Sequence, residues 1–176
     1  MQFSLKKIAL SVAILATVNL SAEASSIIGV EGIYNNIDAQ EPALRTNYNQ
    51  SSAGIGARIG AENENFRFLL IYDSIKDQDH NGATVSQYMI TGNLDYFIPV
   101  GSQDIRPFIG AIIGQAEYKY ASYSENGYVY GGELGIDFKI NRHFDIDVFG
   151  RYTAAGLDRV NHYVQSGIGL NYKFSD

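Results

Sequence analysis

The residues best placed to do chemistry are charged and occupy alternate positions in two neighbouring segments of the sequence. If a short turn at residues 141–143 joins these segments, antiparallel pairing sets Lys139 across from Asp145 and Glu133 across from Arg151. Opposite charges at directly paired positions attract each other. One face of the paired segments is therefore predicted to carry a network of ion pairs.

The same register produces one unfavourable contact, because Asp137 falls across from Asp147. Like charges at opposed positions destabilise a sheet, and an isolated buried charge is costly. We therefore predict that Arg58 or Arg67, from elsewhere in the chain, lies between the two carboxylates. The complete predicted network comprises Glu31, Arg58, Arg67, Asp73, Asp95, Glu133, Asp137, Lys139, Asp145, Asp147, Arg151 and Lys173.

Histidine and serine offer a second kind of chemistry, nucleophilic catalysis. His162 and Ser166 share one face of a predicted strand, but four strand residues separate them by about 13 Å, too far for a base to activate a nucleophile. His80 lies in a predicted loop and His143 in a predicted turn. We therefore predict no catalytic residues and no enzymatic activity.

Metal ions, cofactors and nucleic acid are not predicted as ligands. Asp73, Asp77 and Asp79 with His80 are interpreted as a solvated loop, because the glycine and distal glutamate of a calcium loop are missing. The glycines at 54–56 and 167–169 lie inside strand patterns, with no following helix that could complete a nucleotide site. A formal net charge of −6 disfavours nucleic acid as a partner.

The elements that position the charges are strands, because apolar and polar residues alternate with a period of two. The predicted strands span residues 27–35, 53–62, 65–74, 84–98, 105–120, 130–140, 144–152 and 162–174. Short connections alternate with longer polar ones, and the longer ones are predicted at residues 36–52, 75–83, 121–127 and 154–161.

Aromatic residues begin and end the apolar face of these strands. Tyr88 and Tyr96 are eight residues apart, and predicted strands six and seven repeat this spacing. Eight residues of a tilted strand rise about 20 Å, which approaches the height of the apolar band of an outer-membrane barrel. The predicted girdles comprise Tyr34, Phe66, Tyr72, Tyr88, Tyr96, Tyr130, Phe138, Phe144, Tyr152, Tyr172 and Phe174.

Residues 1–24 are predicted to be a secretory signal peptide. Lys6 and Lys7 precede an apolar run at residues 8–20, and Ala-Glu-Ala follows at residues 22–24. The run is shorter than the ~20 residues that a membrane-spanning helix requires. Residues 25–176 then form a single predicted domain, and the absence of cysteine excludes disulfides.

With these strands, the chain resembles the outer-membrane β-barrel superfamily, specifically the small eight-stranded OmpA/OmpX-type barrels. The most specific motif is the last strand, where Gly169, Tyr172 and Phe174 resemble the assembly signal read by the barrel-insertion machinery. The family usually ends on that aromatic residue, whereas Ser175 and Asp176 follow it here.

The resemblance implies an all-β chain, folded as a single eight-stranded antiparallel up-and-down transmembrane barrel and integral to the cell outer membrane. Outer-membrane lipid, lipopolysaccharide and the insertion machinery are the implied partners. Short turns face the periplasm in this class, so both termini are expected to be periplasmic.

The predicted function is an envelope-structural and surface-contact role. The interior of an eight-stranded barrel is just wide enough for its own side chains, so the charges are expected to fill it. The longest predicted loop, residues 36–52, is the candidate site for a surface ligand. The alternatives are a narrow ion or small-solute channel, a loop-mediated adhesin and, in third place, a lipid A-modifying enzyme. A soluble sandwich or lipocalin-like barrel would instead turn the apolar face inward.

Overall fold

The computed structural model is an all-β barrel of eight antiparallel strands, which confirms the predicted fold class. It describes residues 24–41, 46–78, 84–102, 104–120, 123–157 and 160–174, so residues 1–23 of the predicted signal peptide lie outside the described residues. The strands are β1 (Ser25–Glu41), β2 (Thr46–Glu62), β3 (Phe66–Gln78), β4 (Thr84–Phe97), β5 (Ile105–Tyr120), β6 (Tyr123–Lys139), β7 (Phe144–Ala155) and β8 (Val160–Phe174).

Each strand pairs with its neighbours in sequence, and β1 also pairs with β8, which closes the barrel. In the described part of the chain, no helix is long and apolar enough to cross a membrane.

The three short connections form one end of the barrel, which we call the turn end. Asn63 and Asn141 organise two of them, because each side-chain oxygen accepts hydrogen bonds from backbone N–H groups two and three residues ahead, at 2.8–3.0 Å. In the third connection, Gly101 has a φ of 77°, a conformation that favours glycine.

The opposite end, which we call the hairpin end, differs from the sequence prediction. The predicted loop at residues 36–52 is wrong, because β1 continues to Glu41 and β2 begins at Thr46, with Asn36 paired to Ser51. Two paired strands satisfy their backbone hydrogen bonds whether the side chains are polar or apolar, so polar residues need not end a strand. The other three long connections are also shorter than predicted, since β3 ends at Gln78, β6 begins at Tyr123 and β8 begins at Val160.

The barrel wall is not paired equally along its height. Residues 46–53 of β2 pair with β1, but pairing between β2 and the described residues of β3 begins only at Gly54 and Ile75. This part of β2 therefore presents a backbone edge with no described strand beside it, which we call the β2 edge.

The two faces of the strands are inverted relative to a soluble protein. Outward residues are apolar and exposed, as Ile55 (72%) and Leu134 (66%) illustrate. Inward residues include charged side chains with no exposure, such as Asp95 and Asp147. An apolar exterior around a polar interior is the pattern of a membrane-spanning barrel.

The interior also holds apolar clusters. One, which we call the apolar cap, lies toward the hairpin end and consists of Ile37, Met89, Ala116, Tyr118, Val129, Leu157, Val160 and Tyr163. A second, the phenylalanine cluster, consists of Ile33, Ile75, Phe97, Phe108 and Phe149. Leu69 and Ile71, which break the polar alternation of β3, are buried with Ile27 in a third.

Candidate functional site

The candidate site is the charged interior of the barrel, which begins around Glu31 on β1. Arg151 donates to both carboxylate oxygens of Glu31, at 2.5 and 3.0 Å, and to Glu133 at 2.8 Å. Arg58 contacts Glu31 from the other side. Asp73 lies 3.7 Å from the Arg151 guanidinium. One arginine thus joins carboxylates from three other strands.

The opposed carboxylates Asp137 and Asp147 lie at the centre of the interior, and their backbone pairing is the predicted one. Both predicted cations reach this pair. Arg67 Nη1 lies 3.0 Å from Asp147 and 3.7 Å from Asp137, and its Nε donates to Asp95 at 2.9 Å. Arg58 Nη1 lies 2.5 Å from Asp147. The like-charge contact is therefore offset by Arg67, which contacts both carboxylates, and by Arg58, which contacts Asp147.

A third group of charges lies near the turn end. Arg106 contacts Asp137 at 2.5 Å, Glu62 at 3.0 Å and Asp145 at 3.4 Å. Lys173 contacts Glu62 at 2.6 Å and also forms an ion pair with Asp145. Lys139 is only half-buried, although the register places it across from Asp145 as predicted.

Glu62 and Arg106 were missed in the sequence prediction of the network. Both could have been found from strand parity, because Glu62 lies four residues from the inward Arg58 and Arg106 two residues from the inward Phe108. The inward position of Arg106 was hard to recognise because β5 is apolar on both faces and Pro107 directly follows Arg106 near the start of the strand.

Aromatic rings support the arginines. Arg106 lies 4.0 Å from the centroid of the Phe97 ring and Arg67 lies 4.6 Å from that of Phe108. Arg151 and Arg58 lie 4.1 and 4.9 Å from the Phe149 ring. Guanidinium groups at these distances gain cation–π attraction, which is stronger where water is excluded. Each buried arginine is thus held by carboxylates and by a ring of the phenylalanine cluster.

Inward glycines provide the space for these large side chains. A Cβ atom added at Gly169 would collide with the Arg58 guanidinium, and one at Gly110 with the carboxylate of Asp95. A Cβ at Gly167 would lie 2.5 Å from the Phe149 ring. The repeated glycines therefore mark positions where the interior is already filled.

The composition of the interior limits its chemistry. Among the described residues, buried acidic side chains outnumber buried basic ones by eight to five, which gives the interior a negative balance. In the same part of the chain, no group of three or more histidine, cysteine, aspartate and glutamate residues is arranged to hold a metal ion. The arrangement instead distributes each cation among several carboxylates.

The predicted aromatic residues all lie on the outward face and separate into two groups. Phe66, Tyr96, Phe138, Phe144, Tyr172 and Phe174 lie toward the turn end, and Tyr34, Tyr72, Tyr88, Tyr130 and Tyr152 lie toward the hairpin end. Neighbouring rings contact each other, with centroid distances of 5.3 Å for Phe66–Tyr96 and 5.2 Å for Phe144–Tyr172. Tyr128, 65% exposed, also belongs to the second group.

The residues of the predicted assembly signal lie on both faces of β8. Tyr172 and Phe174 point outward with their rings 5.0 Å apart, whereas Gly169 points inward beside Arg58. Recognition of this strand by the insertion machinery stays a prediction.

Comparisons with known proteins agree with this architecture. The family model described as outer membrane protein beta-barrel domain matches residues 8–174. No curated protein matches the chain. Among solved structures, the chain is similar to Neisserial surface protein A, with a TM-score of 0.73 and 17% identity over 86% of this chain and 99% of that one.

Two further solved structures share the fold. Outer membrane protein H from P. aeruginosa gives a TM-score of 0.58 and 23% identity over 85% of this chain and 99% of that one. Ail, the attachment invasion locus protein of Yersinia pestis, gives a TM-score of 0.58 and 17% identity over 86% of this chain and 99% of that one.

Proposed function

Because the chain belongs to the outer membrane protein β-barrel domain family, we propose that it is a non-conducting membrane anchor that presents hairpins for contact at the cell surface. The barrel is integral to the outer membrane. Its filled interior contributes rigidity rather than transport, and its hairpin end carries the contacts.

The observation that carries this proposal is the filling of the interior by mutually paired side chains. Arg67 is held by Asp95, Asp137 and Asp147 at once, so an ion that crossed would have to displace several charge-assisted contacts together. Beyond this network the apolar cap closes the hairpin end, where Val129 and Val160 have no exposure. A dehydrated apolar constriction opposes the passage of ions.

Conductance measurements on the purified protein in planar lipid bilayers test the proposal. We expect no discrete current steps from the wild-type barrel. Heat-dependent migration on a denaturing gel shows, on the same sample, that the barrel is folded. Reproducible steps from folded wild-type protein would contradict the proposal.

A narrow cation channel is the second candidate, favoured by the negative balance of the interior. Asn35, Gln87, Thr153 and Gln165 each carry a buried polar atom for which no hydrogen-bond partner is found among the described residues. Buried polar groups without protein partners are commonly satisfied by water, so this region supports a hydrated path. A channel of this kind would show a reversal potential that favours cations across a salt gradient.

The orientation that we propose places the turn end and both termini in the periplasm. The chain contains no cysteine, which allows single-cysteine labelling. Ser51 at the hairpin end and Arg142 at the turn end are both exposed. On intact cells, a membrane-impermeant maleimide should label S51C and leave R142C unlabelled. The reverse pattern would contradict the orientation.

The surface contact that we propose involves the β1–β2 hairpin. From Tyr34, in the aromatic group toward the hairpin end, β1 continues for seven residues to Glu41, a rise of about 18 Å beyond that group. No described strand pairs with the backbone donors and acceptors of the β2 edge, which makes it a candidate for strand addition, by which an extended peptide segment pairs with a sheet. Ail, which shares the fold, is named an attachment invasion locus protein.

Removal of residues 39–48 tests the contact role. The shortened protein should assemble normally, because the deletion leaves the pairing of β1 and β2 from Ser25–Glu62 to Asn36–Ser51 unchanged. Cell-to-surface adherence should fall at equal surface abundance. Unchanged adherence would exclude this hairpin as the contact.

We also propose that the barrel has no enzymatic activity. His162 stacks on Tyr152, with ring centroids 5.3 Å apart, and Ser166 follows four residues later on the same face of β8. This separation, about 13 Å along a strand, does not suit a base and its nucleophile.

A further inference from the structure

Two lysines break the apolar character of the outer surface of the barrel. Lys76 of β3 and Lys119 of β5 both pair with Ser86 of β4, one from each side. All three residues point outward, because a buried inward residue precedes or follows each of them. The other basic side chains within the described strands point inward: Arg58, Arg67, Arg106, Lys139, Arg151 and Lys173. The outward positive charge of these strands is thus confined to one row of three residues.

This row lies immediately beyond the aromatic girdle of the hairpin end. Ser86 is two residues beyond Tyr88, a rise of about 5 Å along a tilted strand. Lys119 Nζ lies 5.1 Å from the centroid of the Tyr88 ring, which stacks against Tyr72 at 6.4 Å. Tyrosine belts mark the boundary between the apolar core and the headgroups of a membrane. The two ammonium groups therefore lie at the level of lipid headgroups.

The geometry suits a phosphate group. Two strand spacings separate the backbones of Lys76 and Lys119 by about 10 Å, a gap that two flexible lysine side chains can close around one anion. The Ser86 hydroxyl between them supplies a hydrogen-bond donor.

An acidic residue next to the row does not block it. Glu117 lies 3.1 Å from Lys119 Nζ and also accepts a hydrogen bond from Ser124 at 3.2 Å. Its side chain is only 13% exposed, whereas that of Lys119 is 45% exposed. The carboxylate is therefore held against the barrel, and the ammonium group remains accessible.

We propose that Lys76, Ser86 and Lys119 form a binding site for a phosphate group of lipopolysaccharide in the outer leaflet. The proposal rests on the orientation proposed above, which places the hairpin end outside. A sulfated polysaccharide would share the anionic chemistry, but it would approach from the aqueous side. The position of the lysines against the girdle, rather than at the hairpin tips, favours a membrane lipid.

The test uses full-length protein purified from outer membranes into detergent micelles, with lipid adducts measured by native mass spectrometry. The probes are phosphorylated lipid A, the same lipid after dephosphorylation, inorganic phosphate and sucrose octasulfate. Wild type should bind phosphorylated lipid A in preference to the other three. K76A and K119A should each weaken this binding about fivefold, since each lysine near an anionic surface contributes about that factor.

Two matched variants separate charge from folding. K76R keeps the charge and should bind nearly as wild type does. R142A removes an exposed positive charge at the turn end and should leave lipid A binding unchanged. Heat-dependent gel migration of every variant verifies that the barrel is folded.

Several results would overturn the proposal. Equal binding of dephosphorylated lipid A would show that phosphate is not recognised. Equal affinity for inorganic phosphate and for phosphorylated lipid A would show that the lipid contributes nothing to binding. Stronger, lysine-dependent binding of sucrose octasulfate would show that the site recognises sulfated sugars instead. Retained binding in the folded double variant K76A/K119A would also overturn it. Because binding in micelles is independent of orientation, failure here differs from failure of the cysteine-labelling test.

Discussion

Replacement of Arg67 by methionine should destabilise the barrel more than replacement of any exposed charge. Arg67 is 1% exposed and contacts Asp95 at 2.9 Å and Asp147 at 3.0 Å. Methionine preserves much of the side-chain volume but leaves buried carboxylates without this cation. Removal of one partner from a buried ion pair costs about 3–5 kcal/mol, and the loss of contact with the Phe108 ring adds to it.

Asp95 provides the internal control for this prediction. Among the described residues, Asp95 forms its ion pair with Arg67. In the R67M variant this carboxylate is left without a cation, so the additional substitution D95N should restore part of the lost stability. Coupling between residues in one network amounts to about 0.5–3 kcal/mol in a double-mutant cycle. R142M, at an exposed turn position, should change the free energy of unfolding by no more than about 0.5 kcal/mol.

The assay is urea-induced unfolding in lipid vesicles, followed by far-ultraviolet circular dichroism and by the fraction of heat-modifiable protein. The chain has 13 tyrosines and no tryptophan, so tyrosine fluorescence is a third probe. If R67M and R142M unfold with the same free energy, the interior charges are not holding the barrel together and the reasoning is refuted.

Three further outcomes are expected. G169L should destabilise the barrel by about 1–3 kcal/mol, because the leucine side chain would displace Arg58. G32L is the control and should be neutral, because no atom lies within 4 Å of a Cβ added at Gly32. Equal urea midpoints for the two variants would contradict this prediction. F174A should reduce the heat-modifiable fraction in isolated outer membranes at unchanged total expression, and full assembly would remove Phe174 from the assembly signal. H162A should leave the mass spectrum of lipid A unchanged, and any altered lipid A species would revive the enzyme hypothesis.

The fold could be predicted from the sequence because a strand in a lipid-facing barrel must alternate its two faces. The alternation placed Ile109 outward and Asp137 inward, and the hairpin register followed from one short turn. The predicted bounds of β5 agree with the structure at both ends. Toward the hairpin end, polar residues obscure the alternation, so the sequence predicts that strand one ends at Asn35 and strand two begins at Ala53, whereas β1 continues to Glu41 and β2 begins at Thr46.

The residues of the interior charge network could be predicted only in strands whose sequence clearly alternates between inward and outward positions. Glu62 and Arg106 share the parity of inward neighbours but lie at strand ends, where alternation over a few residues is weak. Which cation meets which carboxylate across the barrel depends on closure and strand tilt. The convergence of Arg58 and Arg67 on Asp147, for example, joins residues from three strands, and no local pattern encodes the distance between them.

The central claim, a sealed interior, is tested most directly by the reactivity of a single cysteine placed beneath the apolar cap. Thr153 is 1% exposed and pairs with Tyr163 of the cap. In folded protein reconstituted into vesicles, T153C should resist a small charged thiol reagent, while S51C should react fully. Rapid modification of T153C at the rate of S51C would contradict the claim.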